Sequence, residues 1–173
     1  DCHAVTDIGD EAMKFMTVDG HEKVKKYLDD MEQTLAENGM PAECMTEYYI
    51  YTMIRYGEYE SKTAILQGTG TTMDMYEYLE GTPPQNSDEI AMTTLLAKKL
   101  GAEIGDTVTL SYPTGETAEF IITALYQAMV NQGISVRVHT DCDINYIAAS
   151  GSAGTQIKFT DDPDDKEVLS RIE

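Results

Sequence analysis

Apolar residues recur along this chain in two rhythms, and the rhythm switches where turn residues stand. Val24, Tyr27, Leu28, Met31 and Leu35 fall three and four apart, on one face of a helix. That helix is predicted over residues 20–37. Asp19 stands three before Glu22, a capping-box spacing with Asp in place of Ser or Thr, and Asn38-Gly39 with Pro41 ends it. Residues 43–55 carry Tyr, Ile, Thr and Met on both faces, the pattern of a long strand central in a sheet. Gly57 breaks that strand, and residues 61–67 read as its hairpin partner. Ahead of the helix, residues 11–18 alternate, with Ala12, Lys14, Met16 and Val18 on one side and Met13 and Phe15 on the other, and predict a first strand.

The sharpest patterning lies in residues 88–126. Residues 89–92 form a short apolar strand that runs into a helix, with Thr93 or Thr94 as cap and Leu95, Leu96 and Leu100 as the buried stripe. Gly101 stands where a helix ends in a left-handed turn that a Cβ would resist. Gly105-Asp106 turns the chain into a strand with Val108, Leu110 and Tyr112 on one face. Pro113-Thr114-Gly115 closes a hairpin, and Ala118, Phe120, Ile122, Ala124 and Tyr126 alternate along the return strand. Residues 73–79 predict a short helix, residues 81–87 a loop, and residues 134–138, 144–148 and 156–159 three further strands. Ser150–Gly154 reads as a flexible Ser/Gly loop, and Asp162-Pro163 as the opening of a last helix with Pro at its first position. The order strand–helix–strand, β-rich block, strand–helix predicts an α+β fold whose two ends share one sheet.

A chain of 173 residues with 42% hydrophobic content fits one domain with a sizeable insertion. A chain of this size buries roughly 70% of its unfolded surface and needs no staples. No apolar run approaches the roughly 20 residues of a membrane helix, and no leader pattern precedes Asp1-Cys2-His3. That opening, and a last helix that barely begins at residues 166–173, predict a piece of a longer chain. The net charge of −19 argues against nucleic acid, whose binding runs on Lys and Arg, and against lying flat on anionic lipid. It favours a cationic partner, such as a basic peptide, and equally serves solubility. The concentration of Tyr48, Tyr49, Tyr51, Tyr56, Tyr59, Tyr76 and Tyr78 with Met45, Met53, Met73 and Met75 offers a contact surface for such a partner, or simply strand and core residues.

Candidate chemistry is thin. His139-Thr140-Asp141-Cys142-Asp143 would put His139, Asp141 and Asp143 on one face of a strand, but no second ligand motif accompanies it. Gly68-Thr69-Gly70-Thr71-Thr72 lacks the Lys of a phosphate loop and the third Gly of a dinucleotide fingerprint. Asp161-Asp162-Pro163-Asp164-Asp165 lacks the spaced ligands of a calcium loop and suits a helix N-terminus. Cys2, Cys44 and Cys142 match no zinc or redox spacing. No nucleophile stands beside a base. The expectation is a protein that is not an enzyme, with no catalytic, cofactor-binding or metal-ligating residue.

Glu89-Ile90-Ala91, Leu96-Ala97-Lys98-Lys99-Leu100-Gly101, Gly105-Asp106 and Val108-Thr109-Leu110 together resemble a phrase in the extracytoplasmic domains of FtsX-like and MacB-like permeases of ABC transporters. A similar phrase occurs in double-psi β-barrel domains. The permease resemblance implies a porter-like sheet formed by residues 1–56 and 143–173, interrupted by a β-rich (sabre-like) inserted part at 57–142. It implies a domain on the extracytoplasmic face of the cell membrane, standing between membrane helices. Its role would be to couple ATP-driven motion of those helices to a substrate or protein partner outside. Its partners would be the membrane-spanning segments of the same permease and a cytoplasmic ATPase subunit. The alternatives are a secreted or lipid-tethered acidic peptide-binding domain and a double-psi-barrel accessory domain of an enzyme.

Overall fold

A fifteen-residue strand, β2 (Ala42–Tyr56), runs through the whole molecule and belongs to both of its layers. The computed structural model describes residues 2–161 and 163–172. In its first half β2 pairs antiparallel with β9 (Ala149–Phe159), Cys44 facing Ile157 and Met45 facing Gln156. The short strand β1 (Ala4–Thr6) lies on the outer side of β9. Alternate β2 residues Cys44, Tyr48, Ile50 and Ile54 are buried, and α1 (Gly20–Glu37) covers this face with Val24 and Leu28. The predicted 20–37 helix is therefore present end to end.

In its second half β2 pairs with β3 (Tyr59–Thr69) on one side and with β6 (Thr107–Ser111) on the other. From β3 the pairing continues to β8 (Ser135–Val138), to β5 (Glu89–Thr93), to β7 (Thr117–Tyr126) and back to β6. Six strands thus close into a ring, which removes the exposed edges an open sheet would present. Ile54, Ile65, Ile90, Met92, Leu110, Ile122 and Val136 fill its inside, each with no exposed surface. Burial of each such side chain stabilises by roughly 1.5–3 kcal/mol. The two-residue β4 (Glu80–Gly81) adds to β7, and α2 (Thr94–Leu100) packs Leu96, Ala97 and Leu100 into the same core. Gly101 ends α2 at φ 69°, as predicted. A third helix, α3 (Asp165–Ile172), follows β9.

The first and last strands are neighbours. His3 N donates to Ile157 O at 2.9 Å, its ring stacks on Phe159, and Thr160 N donates to Pro41 O at 2.9 Å. His3 and residues 157–160 therefore lie at the start of β2. The Gly57-Glu58 turn lies at the far end, roughly 45 Å along the strand at about 3.3 Å per residue. Among the described residues no helix is long and apolar enough to cross a membrane.

Several expectations are corrected. Residues 11–18 form no strand: a 3₁₀ helix spans Gly9–Phe15, and Ala4–Thr6 takes the place beside residues 155–157. Ile8 and Phe15 anchor that turn in the core while Met13 is 75% exposed, so the alternation of residues 11–18 carried no strand signal. Residues 73–79 form one 3₁₀ turn, Met73–Met75, which ends at an extended Tyr76, and no helix follows. Residues 144–148 hold a 3₁₀ turn at Tyr146–Ala148, because Tyr146 must turn inward to be fully buried. The 150–154 stretch is strand backbone within β9 rather than a loop.

The predicted caps also differ. Asp19 makes no capping bond and pairs with Lys23 at 2.9 Å instead. Thr93 precedes α2, but its hydroxyl donates to Gly133 O at 2.7 Å. Leu95 is 51% exposed, outside the buried stripe. Asp162 lies outside the described residues. Asp164 caps α3, its carboxylate accepting from Lys166 N and Glu167 N, so Pro163 precedes the cap.

Candidate functional site

Strand alternation sends the odd-numbered residues of β2 to the face opposite α1, and there Met45, Glu47 and Tyr49 follow one another. Glu47 stands opposite Gly68 on β3, and Arg137 on β8 stands opposite Leu66. Two strand spacings separate β2 from β8, about 10 Å. Gly68, with no side chain between them, leaves the space over β3 open. Arg137 reaches across it and donates through Nη1 to Glu47 Oε2 at 2.5 Å.

The 71–76 segment folds over this pair. The Tyr76 ring lies 3.5 Å from the Arg137 guanidinium, and the Tyr126 ring lies 5.8 Å away on its own strand. Tyr76 Oη sits 3.2 Å from Thr71 Oγ1, directly above Gly68. A Cβ at Gly68 would come within 2.0 Å of that oxygen, so the stacking requires glycine there. Tyr126 Oη is held 2.8 Å from Ser135 Oγ. Leu66, Ala91, Ala124 and Tyr126 form a small second core beneath, with Tyr49 and Tyr78 against it.

A groove of about 580 Å³ opens beside the ion pair, between the 71–76 segment and β9. Arg137 forms its floor, and Met45, Met75 and Tyr49 give it apolar walls. Gln156 and Lys158 stand on the β9 side, and the Lys158 amine is 3.9 Å from Glu43. Burial lowers the tendency of Arg137 to hold its proton, but the Glu47 carboxylate and then Tyr76 outweigh it, so the guanidinium stays charged. Burial pushes the Tyr76 and Tyr49 phenols up, and Tyr78 up to about 12, so all three remain neutral donors. Among the described residues that line the groove, no nucleophile stands beside a base.

The other sequence candidates are dispersed. His139 Nδ1 accepts from Asp141 N at 3.1 Å, the Cys142 thiol donates to Ser87 O, and Asp141 and Asp143 face solvent. Among the described residues no three His, Cys, Asp or Glu side chains converge. Gly68 and Thr69 end β3, and Thr71 joins the groove wall. Asp161 pairs with Arg171, which holds its carboxyl below the usual range. The Tyr/Met-rich stretch divides: Tyr48 and Met73 are core, Tyr51 and Tyr59 are surface, and Met45, Tyr49, Met75 and Tyr76 line the groove. Sequence reasoning missed Arg137, Gln156 and Lys158. The available signal was an arginine in the middle of Ile134-Ser135-Val136-Arg137-Val138, a strand otherwise too apolar to carry a free charge.

No family model matches the chain, and neither does any curated protein. Solved structures do. The extracellular domain of the noncanonic ABC-type transporter YknZ from Gram-positive bacteria superposes with a TM-score of 0.56 at 11% identity, over 83% of this chain and 76% of that one. A domain of a putative permease protein from Porphyromonas gingivalis gives 0.51 at 14% identity, over 79% and 70%. The chain therefore has the α+β fold of ABC-transporter extracellular domains, and the likeness extends well beyond the short phrase at residues 89–110.

Proposed function

We propose that this chain is a non-catalytic extracytoplasmic domain of an ABC transporter permease of the FtsX/MacB-like kind. It passes ATP-driven movement of membrane helices to a substrate or protein partner outside the membrane. The observation that carries this reading is the path of the backbone. Entry and exit lie side by side at β1 and β9, as a domain set between two membrane segments requires, and one strand leads from there to the opposite pole. β2 is hydrogen-bonded to β9 over its first half, to β3 from Thr46 onward and to β6 near its end, so rotation at the chain ends carries the ring with it as one body. The fold shared with the YknZ extracellular domain supports the same reading.

In this assignment residues 1–56 and 143–173 are the membrane-proximal part and residues 57–142 the β-rich insertion. The partners are the flanking membrane segments of the same permease and its cytoplasmic ATPase. A basic peptide or protein outside would gain on-rate from the net charge of −19, an effect that salt screens. The closed ring of six strands gives the double-psi-barrel alternative its footing. β2, which the ring shares with the α-helical layer, fits that alternative less well.

The test is the full-length gene product in cells. Membrane helices on both sides of this segment are expected, together with labelling of Glu58→Cys, in a Cys2→Ser background, by a membrane-impermeant maleimide in intact cells. A single leader or lipid anchor with no further span would establish the secreted alternative. Labelling only after permeabilisation would remove the extracytoplasmic placement.

A further inference from the structure

We infer that the groove between β9 and the 71–76 segment is a binding site for a carboxylate carried on an apolar or aromatic body, with Arg137 as the anion-binding donor. The inference stands on the groove alone, whether or not the domain is part of a permease. Arg137 is 7% exposed. A guanidinium offers five N–H groups in a rigid planar fork. Among the described residues Glu47 is its hydrogen-bond partner and takes Nη1, which leaves Nε and Nη2 unpaired at the floor of an open groove. Neither nitrogen is buried without a partner: both reach the groove, where water meets them and an acceptor on a ligand can take that water's place. A pure staple between β2 and β8 would need the Nη1 bond and nothing more.

The chemistry of an acceptor that fits this edge follows from the surroundings. Tyr76 stacks at 3.5 Å on the guanidinium and fixes its plane, so the free edge is preset for the two oxygens of a carboxylate. Glu47 lines the same groove and balances the guanidinium charge, so selectivity for an acid rests on the geometry of the Nε/Nη2 edge and on the donors around it. Lys158 and Gln156 on β9 give a second set of donors at the mouth. Met45, Met75 and Tyr49 form adaptable apolar walls for the body that carries the acid. The volume of about 580 Å³ lies within the range of small-ligand sites. The local donors run against the acidity of the whole chain, and this separates a groove ligand from a partner attracted by net charge.

Two kinds of molecule carry this chemistry, a free small carboxylate and a peptide C-terminus, and the experiment separates them. The full chain with ¹³C-labelled methionine methyls is titrated with 3-phenylpropionate, with the tripeptide acid Ala-Ala-Phe and with its C-terminal amide. The expected result is movement of the Met45 and Met75 methyls, and binding of an acid at least about tenfold tighter than the amide. Binding of phenylpropionate at least as tight as that of the peptide acid assigns the site to small carboxylates, and tighter binding of the peptide acid assigns it to chain ends. Arg137→Gln should abolish the preference. Should that variant lose its fold, Lys158→Glu at the half-exposed mouth should weaken the acid about tenfold with an unchanged native spectrum. Equal binding of acid and amide, shifts elsewhere than Met45 and Met75, acid affinity unchanged in these variants, or no binding by any of the three probes overturns the proposal.

Discussion

Glu47→Gln is the substitution that weighs the buried ion pair most directly. Gln keeps the size of the side chain and an amide oxygen for Arg137 Nη1, so what is lost is the charge. Removing one partner of a fully buried pair costs about 3–5 kcal/mol, because the other charge stays buried and uncompensated. Here the Arg137 side chain is 9% exposed and that of Glu47 is 19% exposed, and the groove admits water beside them. The expected loss is therefore below that range, about 2–3 kcal/mol. For a domain of this length about 1 kcal/mol moves the melting temperature by roughly 2–4 °C, so Tm should fall by roughly 4–12 °C. Urea unfolding followed by far-ultraviolet circular dichroism gives the stability, and an unchanged slope identifies the effect as one on the native state. Arg137→Met and the double variant complete a cycle, in which the double variant should lose at least about 1 kcal/mol less than the sum of the singles. A Glu47→Gln loss within about 0.5 kcal/mol, or strict additivity, would show that the pair behaves as a surface salt bridge and that the reasoning is wrong.

Three further outcomes are expected. His21 is buried against Tyr146 with neither ring nitrogen bonded among the described residues; burial first, and Lys25 second, lower its pKa below the ordinary 6.5 despite Glu22, Asp141 and Asp143. A lowered folded value means that the unfolded chain takes the proton more readily, so stability present above about pH 6.5 is lost as pH falls through that value. Wild type minus His21→Phe, measured from pH 7.5 downward by urea unfolding, isolates this slope, and a flat difference refutes it. Gly68→Ala should displace Tyr76 from Arg137, cost roughly 1–3 kcal/mol and speed chymotryptic cleavage at Tyr76 and Tyr78; unchanged cleavage counts against the stacking argument. Burial pushes the Cys44 thiol up to about 11 and Cys142 up to about 12, so a thiol reagent at pH 8 should titrate only the partly exposed Cys2 in native protein, and all three cysteines in urea. Rapid labelling of Cys44 or Cys142 without denaturant would contradict their burial.

The local elements with strong, uninterrupted patterns could be read from the sequence alone. The 20–37 helix, the long central strand with its hairpin partner, and the strand–helix–strand phrase at residues 89–110 follow from periodicity and from Gly39, Gly57 and Gly101, which stop it. Where the pattern was short, tertiary contacts won. Residues 11–18 alternate by chance, and with Ile8 and Phe15 buried the chain takes a 3₁₀ turn over Gly9–Phe15 instead. Tyr146 pulled residues 146–148 out of extended form to reach the core, where its hydroxyl donates to Gln67 Oε1 at 2.6 Å. Closure of the ring was likewise invisible, because β6 joins β2 across more than fifty residues of chain and no local signal specifies that pairing. The groove was least legible of all. Glu47, Gly68, Tyr76 and Arg137 lie on four separate segments, and each alone looks like an ordinary strand or loop residue. Only the register of β2, β3 and β8 brings the carboxylate and the guanidinium over the one position without a side chain, and that register is set by the packing of the core on the opposite face.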